Sequence, residues 1–201
     1  INDSITAVHK HLNGDIKSVS LTSQPDITAP LFIDCSGFKG LLIQEACHAG
    51  YEDWRHWLPC DSAVAQPSAA LTNIYPYTKA TAHNAGWQWQ IPLQQRIGNG
   101  HVFASKFMDT ATATDILTAN LPSRPLAEAR VLHWCNGKRK TTWYNNVIAI
   151  GLSAGFIEPL ESTGLQLIQS AIMRLLSLFP HHNINAFDRN EYNKHTDFEI
   201  E

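Results

Sequence analysis

A short run without a polar residue, Leu31-Phe32-Ile33, stops at Asp34 and opens into the small-residue stretch Cys35-Ser36-Gly37. A strand so uniformly apolar has no solvent face and must be covered on both sides, as strands are in parallel α/β sheets. Such sheets deliver the carboxyl ends of their strands to a ligand crevice, which would place Asp34, Ser36 and Gly37 at a binding site. A strand that merely ends in a turn has the same local pattern. These residues alone do not separate the two.

The rest of the chain has two textures. Residues 1–30 read as short strands around Asn13-Gly14, a dipeptide favoured in tight hairpins. Between Pro59 and Gly151, alternating stretches recur at Asp61–Ala65, Thr81–Gln90, His101–Ser105, Leu132–Cys135 and Thr141–Ile150, with turns predicted at Gly98-Asn99-Gly100 and Asn136-Gly137. That pattern predicts an antiparallel sheet of hairpins. A short helix is expected over Met108–Asn120, capped by Thr110 or Thr112. After Gly151, a loop reaches Gly164 and leads into a helix. Its apolar stripe of Leu165, Leu167, Ile168, Ala171, Ile172, Leu175, Leu176 and Phe179 reads mostly as core, and Pro180 ends it. Ser162 or Thr163 can cap that helix, and Gly164 lets a ligand approach the backbone. The unpaired amides of such a first turn suit an anion.

Composition narrows the function classes. Hydrophobic residues are 44% and charged residues 16% of the 201, within the range of an ordinary globular domain. The formal net charge is −3, and Lys138-Arg139-Lys140 is too short for a nucleic-acid-binding stripe, so it reads as a solvated hairpin tip. The cysteines Cys35, Cys47, Cys60 and Cys135 form no C-x-x-C pair, which favours a reduced, cytoplasmic setting. Ten histidines occur without metal-ligand spacing; the adjacent pair His181-His182 cannot easily share one ion, and no metal is expected. No run is long and apolar enough for a membrane span. The sequence opens on Ile1, not Met, inside a strand-like stretch, which suggests a fragment.

Three stretches, in order, resemble the flavin-dependent tryptophan halogenases. Asp34-Cys35-Ser36-Gly37-Phe38-Lys39-Gly40-Leu41-Leu42-Ile43 is similar to the segment after a core strand in that family. Gly86-Trp87-Gln88-Trp89-Gln90-Ile91-Pro92 carries its W-x-W-x-I-P signature, and Phe156-Ile157-Glu158-Pro159-Leu160-Glu161-Ser162-Thr163-Gly164 resembles its loop-to-helix segment. The resemblance runs from about Leu31 to Pro180. It implies an α/β (α+β) chain: a partial FAD/NAD(P)-binding, flavin-monooxygenase-like fold with an inserted antiparallel sheet. Residues 1–201 would form one incomplete domain, with the sheet at about 59–150 and the FAD-domain elements at 31–43 and 151–180.

It also implies chemistry. Reduced FAD, supplied by a separate flavin reductase, would react with oxygen to give a flavin hydroperoxide. Bound chloride or bromide would attack this to form hypohalous acid, which would halogenate an electron-rich arene such as tryptophan or another indole. A halide is a nucleophile and must be oxidised before it can substitute a ring, so the cofactor carries the hard step.

Residue by residue, Thr163 and Gly164 match the halide-binding amides, and Ser162 lies beside the path of the oxidant. Glu161 matches a glutamate near the substrate ring, where it can orient the catalytic lysine and remove a ring proton; a carboxylate favoured by a helix N-terminus is the plainer alternative. Glu158 is structural. Ser36, Gly37, Gly151 and Pro159 are expected near the cofactor, although Leu152 stands where related hydroxylases often have an aspartate. Trp87 and Trp89, at i and i+2 on one strand face, would with Ile91 and Pro92 separate substrate from flavin; two core aromatics would pack much the same way. Lys79 matches a variable position and reads as an exposed lysine.

No G-x-G-x-x-G occurs in the chain, and the family's catalytic lysine and C-terminal helical region lie outside the matching segments. The isolated chain is therefore expected to bind FAD weakly and not to turn over. A flavin-dependent aromatic hydroxylase and a non-catalytic remnant serving as a binding module are the competing readings. No nucleic-acid or membrane partner is expected, and a homodimer is open.

Overall fold

The computed structural model describes residues 2–180 and 183–201, and at Glu161 the backbone alone. The pair His181-His182 lies outside the described residues. Contacts divide the chain into two compact units, residues 1–52 with 137–201, and residues 53–136.

The first unit opens with a hairpin of β1 (Ile5–Lys10) and β2 (Ile16–Leu21), turned through Gly14 at φ +91°. Next come β3 (Phe32–Asp34), one π-helical turn at Leu41–Ala46, and β4 (Tyr51–Asp53). The second unit supplies β5 (Ser62–Ala65), β6 (Ser68–Ala69), β7 (Lys79–His83), β8 (Gly86–Pro92), β9 (Arg96–Phe103), helix α1 (Thr110–Ala119) and β10 (Arg130–His133). The first unit then resumes with β11 (Gly137–Arg139), β12 (Trp143–Tyr144), β13 (Val147–Ala149), β14 (Gly155–Phe156), α2 (Thr163–Ser177) and α3 (Ala186–Ile200).

In the first unit β13 pairs in parallel with β3, Val147 against Phe32 and Ala149 against Asp34. The run Thr141–Ile150 therefore does not extend the antiparallel sheet as its alternation suggested. Val147, Ile148 and Ala149 are all buried, which marks a strand covered on both faces. One face of this small sheet packs on Ile16, Val19, Leu42 and Ile43, and the other on Ala171, Leu175 and Tyr192. Asn146 fastens the opening hairpin to it, accepting from the Ile16 amide at 2.8 Å and donating to the Ile16 carbonyl at 2.9 Å.

The basic triplet is not a solvated tip. Lys138 and Arg139 are 2% and 4% exposed, and only Lys140 faces solvent. Lys138 Nζ reaches Asp197 at 2.5 Å and Glu201 at 2.8 Å, both on the last turn of the chain. Burial alone would lower its pKa, but these two carboxylates more than offset that and leave it raised. The reading of α2 as mostly core also needs correction. Ala171 and Leu175 are buried, whereas Leu165, Ile172, Met173, Leu176 and Phe179 are exposed. This helix carries apolar residues on two faces and covers only one of them within the described residues.

The second unit is an antiparallel sheet in the order β10-β5-β9-β8-β7, with β6 also on β9. The stretch Thr81–Gln90, read as one strand, is a hairpin: β7 and β8 turn at Asn84-Ala85. Gly98-Asn99-Gly100, read as a turn, lies inside β9. Two contacts hold it extended. A β-carbon at Gly100 would come within 2.1 Å of the Trp89 ring, so the indole lies across that glycine, and Asn99 Nδ2 donates to Ser68 Oγ at 3.0 Å and the Gln66 carbonyl at 3.2 Å. The α1 cap is Asp109, not Thr110 or Thr112; its carboxylate accepts from the Thr112 amide at 2.7 Å.

Candidate functional site

At the carboxyl end of β3, Asp34 is 2% exposed and fully engaged. One oxygen accepts from the Ser36 amide at 2.9 Å and the Ser36 hydroxyl at 2.6 Å. The other accepts from the amides of Leu42 and Ile43, both at 2.8 Å. The Ser36 hydroxyl accepts in turn from the Leu41 amide at 2.6 Å. The carboxylate thus caps the π-helical turn from inside, and Asp34 with the Ser36 amide and hydroxyl builds the loop, leaving Ser36 only its backbone carbonyl for a ligand.

At the carboxyl end of β13 the chain turns through Gly151 at φ +76°, and the loop after β3 turns through Gly37 at φ +78°. Both conformations suit glycine. The two turns are tied together: Ile150 N donates to Asp34 O at 3.0 Å, and Ser153 Oγ donates to the same carbonyl. Arg139 braces them from below, its Nε donating to Ser153 O and its Nη1 to Gln44 Oε1, both at 2.8 Å. Its guanidinium also sits 5.0 Å from the Tyr51 ring centre. Burial lowers the Arg139 pKa, opposed by Tyr51 and Asp34. Ser153 and Arg139 escaped the sequence reading, because a serine in a Gly-rich loop and an arginine in a basic triplet both look solvated.

The chain next passes Glu158 and Pro159 and reaches Ser162, which adopts a left-handed φ of +57°. Among the described residues no side chain caps α2, so neither Ser162 nor Thr163 plays the expected capping role. The amides of Thr163 and Gly164 have no partner among the described residues outside the helix, and Thr163 Oγ1 is buried without one. A β-carbon at Gly164 would meet nothing within 4 Å. Packing therefore does not demand this glycine; its effect is to leave the amides approachable. A cavity of about 250 Å³ is lined by both Gly151 and Gly164, along with Leu152, Phe156, Leu165 and Ile168. The side chain of Glu161 lies outside the described residues.

In the second unit Trp87 and Trp89 do share a face, their ring centres 6.0 Å apart. They pack with Cys60, Ala63, Val102 and Trp134. Ile91 continues the row and is 39% exposed, with Pro92 closing the strand. Lys79 is exposed at the start of β7. Among the described residues no cluster of acids, histidines and cysteines could hold a metal, and no helix is long and apolar enough to cross a membrane.

Two parallel strands ending in left-handed glycine turns, beside a helix start with open amides, form the ligand crevice of a nucleotide-binding α/β fold. The sequence matches the Tryptophan halogenase family over residues 1–201. It is 38% identical over 195 residues to 7-chloro-L-tryptophan 6-halogenase KtzR of Kutzneria sp. (strain 744), covering 95% of this chain and 38% of that protein. It is 40% identical over 182 residues to tryptophan 6-halogenase SttH of Streptomyces toxytricini, covering 89% of this chain and 35% of the relative. The structure superposes on Xcc4156, a flavin-dependent halogenase from Xanthomonas campestris, with a TM-score of 0.96 and 41% identity, covering 100% of this chain and 41% of the other. The chain belongs to the tryptophan halogenase family, has the mixed α/β fold of flavin-dependent halogenases, and spans about two fifths or less of these relatives' length.

Proposed function

We propose that the whole protein is an FAD-dependent halogenase of an electron-rich aromatic substrate, tryptophan or another indole, using chloride or bromide. The observation that carries this reading is that Gly151 and Gly164 line one cavity, with the Thr163 and Gly164 amides unpartnered among the described residues beside a buried Thr163 hydroxyl. That donor set fits a small anion. The backbone turns at Gly37 and Gly151 fit the close approach of a flat cofactor, since a β-carbon at Gly37 would meet nothing within 4 Å and one at Gly151 only the Ile168 side chain. Ser36, Gly37, Gly151 and Pro159 would hold that part of FAD through their backbone. The phosphate-binding G-x-G-x-x-G turn does not occur in these residues, so the 201-residue chain alone should bind FAD weakly and not turn over.

Bound FAD, reduced by a separate reductase, would supply the electrons for halide oxidation by oxygen. The overall reaction balances as arene, halide, reduced FAD, oxygen and a proton giving haloarene, oxidised FAD and two waters. The chain's residues do the rest. The Thr163 and Gly164 amides hold the halide, and the left-handed turn at Ser162 directs them. Glu161 takes the ring proton displaced by the halogen. Trp87, Trp89, Ile91 and Pro92 exclude the organic substrate from the cofactor, which suppresses hydroxylation.

The test is turnover of the whole protein with a flavin reductase, bromide or chloride, and a panel of indoles, with products read by mass spectrometry. A halogenated product is expected. Hydroxylation without halogenation would identify a monooxygenase, and no turnover despite bound FAD would identify a non-catalytic relative; either overturns the proposal.

A further inference from the structure

Beside the apolar cluster of Val64, Phe103, Ala113 and Leu117, the side of the antiparallel sheet that packs on α1 carries a buried polar group. Antiparallel pairing sets Gln88 opposite His101, and the His83 ring lies 4.9 Å from that of His101. His101 is wholly buried and Gln88 is 3% exposed. His101 Nδ1 sits 3.3 Å from the Ala113 carbonyl of α1. A carbonyl only accepts, so Nδ1 carries the proton and Nε2 presents a lone pair. That Nε2, His83 Nε2 and Gln88 Oε1 are all buried, and none has a partner among the described residues. One such atom is uncommon in a folded protein, and three on neighbouring side chains point to a shared guest.

We propose that His83, Gln88 and His101 enclose a site for one neutral hydrogen-bonding molecule the size of water, which latches the β7–β8 hairpin to β9 and is expelled when an imidazole is charged. Water satisfies all three atoms at once: it donates to His101 Nε2 and Gln88 Oε1 and accepts from a protonated His83 Nε2. A divalent cation fits poorly. No acid or cysteine joins the two histidines among the described residues, and a dication among neutral donors in a buried site would lack a counter-charge.

The same reasoning makes the latch sensitive to acid. The titratable groups on the elements around it are Lys79, Arg96, Asp109, Asp115, Arg130 and His133, and all are exposed. None is placed to balance a buried imidazolium. Burial holds the His101 pKa below the ordinary imidazole value; its bond to Ala113 opposes this and His83 adds to it. A folded pKa below the unfolded one means that the native state resists protonation. The latch is intact above the ordinary imidazole value of about 6.5 and weakens as pH falls through it. The hairpin it holds carries Trp87 and Trp89 on the opposite face.

The experiment has two arms on the whole protein. Crystals grown at about pH 8 should show a single water-sized peak within hydrogen-bond reach of all three atoms; no peak, or one with a metal's anomalous signal, overturns the site. Hydrogen exchange of residues 79–92, corrected for intrinsic rates, should lose roughly tenfold protection per pH unit below the imidazole range. The His83→Gln/His101→Gln variant should lose none. A flat wild type, or an equal loss in a variant that is folded at pH 8, refutes the latch. If the double variant does not fold, His101→Gln alone must show a smaller loss than wild type, and an equal loss refutes the latch; if neither variant folds, the crystals at about pH 8 decide it.

Discussion

Replacing Asp34 by Asn tests whether the loop below the proposed cofactor site is held by one carboxylate. The change removes a charge and two lone-pair sites while keeping the volume. Set one way, the new NH2 group faces the Leu42 and Ile43 amides, which now donate to the carboxylate at 2.8 Å each, and both lose their acceptor. Set the other way, it faces Ser36, whose hydroxyl can rotate to accept but whose amide, now at 2.9 Å, cannot. The second arrangement is the cheaper. It leaves one part-buried donor without its acceptor, about 1–2 kcal/mol, and weakens the remaining bonds from charged to neutral strength, about 1 kcal/mol more. The expected cost is therefore about 2–3 kcal/mol, with Asp34→Ala at the upper end or beyond. Hydrogen exchange at the Leu42 and Ile43 amides reports the loop directly. Protection there within about fivefold of wild type, equivalent to about 1 kcal/mol, would refute the capping role.

Gly164→Ala separates structure from function: an added methyl meets nothing within 4 Å, so stability in denaturant should hold or rise by up to about 1 kcal/mol. Halogenation by the whole enzyme should fall at least roughly tenfold, as the methyl shields the amides; unchanged turnover would remove Gly164 from the halide site. Arg139→Leu strands the Ser153 carbonyl and the Gln44 side chain, and should cost about 2–4 kcal/mol by denaturant melts, with a loss below 1 kcal/mol arguing against the brace. Lys138→Met should cost under about 1 kcal/mol in the same melts, because its partners Asp197 and Glu201 are 41% and 61% exposed and return to water; a loss above 3 kcal/mol would contradict that.

The opening hairpin and the shared face of Trp87 and Trp89 were legible because a short-range period or turn residue fixes each of them; β3 was legible in place, but its expected cover on both faces fails at Ile33, which is 49% exposed. What the sequence hid depends on long-range partners. The Gly98-Asn99-Gly100 stretch has turn composition, but Trp89 and Ser68 hold it extended. Lys138 and Arg139 look solvated until Asp197, Glu201, Gln44 and Ser153 come to meet them. The strand end at Asp34 had two open readings, ligand crevice or plain turn; its four bonds commit the carboxylate to the loop, so any crevice there is lined by backbone. The α2 start at Thr163 was legible from the apolar stripe that follows it, and open amides arise at any helix beginning. The cap was wrong, because Ser162 adopts a left-handed backbone that no local pattern announced.

The indole laid across Gly100 has a consequence for diversification. Positions 89 and 100 behave as one locus: while tryptophan occupies the first, even an alanine is closed at the second, its β-carbon 2.1 Å from ring atoms. Trimming Trp89 opens room at 100, so a side chain at 100 is reached only after a change at 89, and paired variation samples combinations that varying 100 alone cannot.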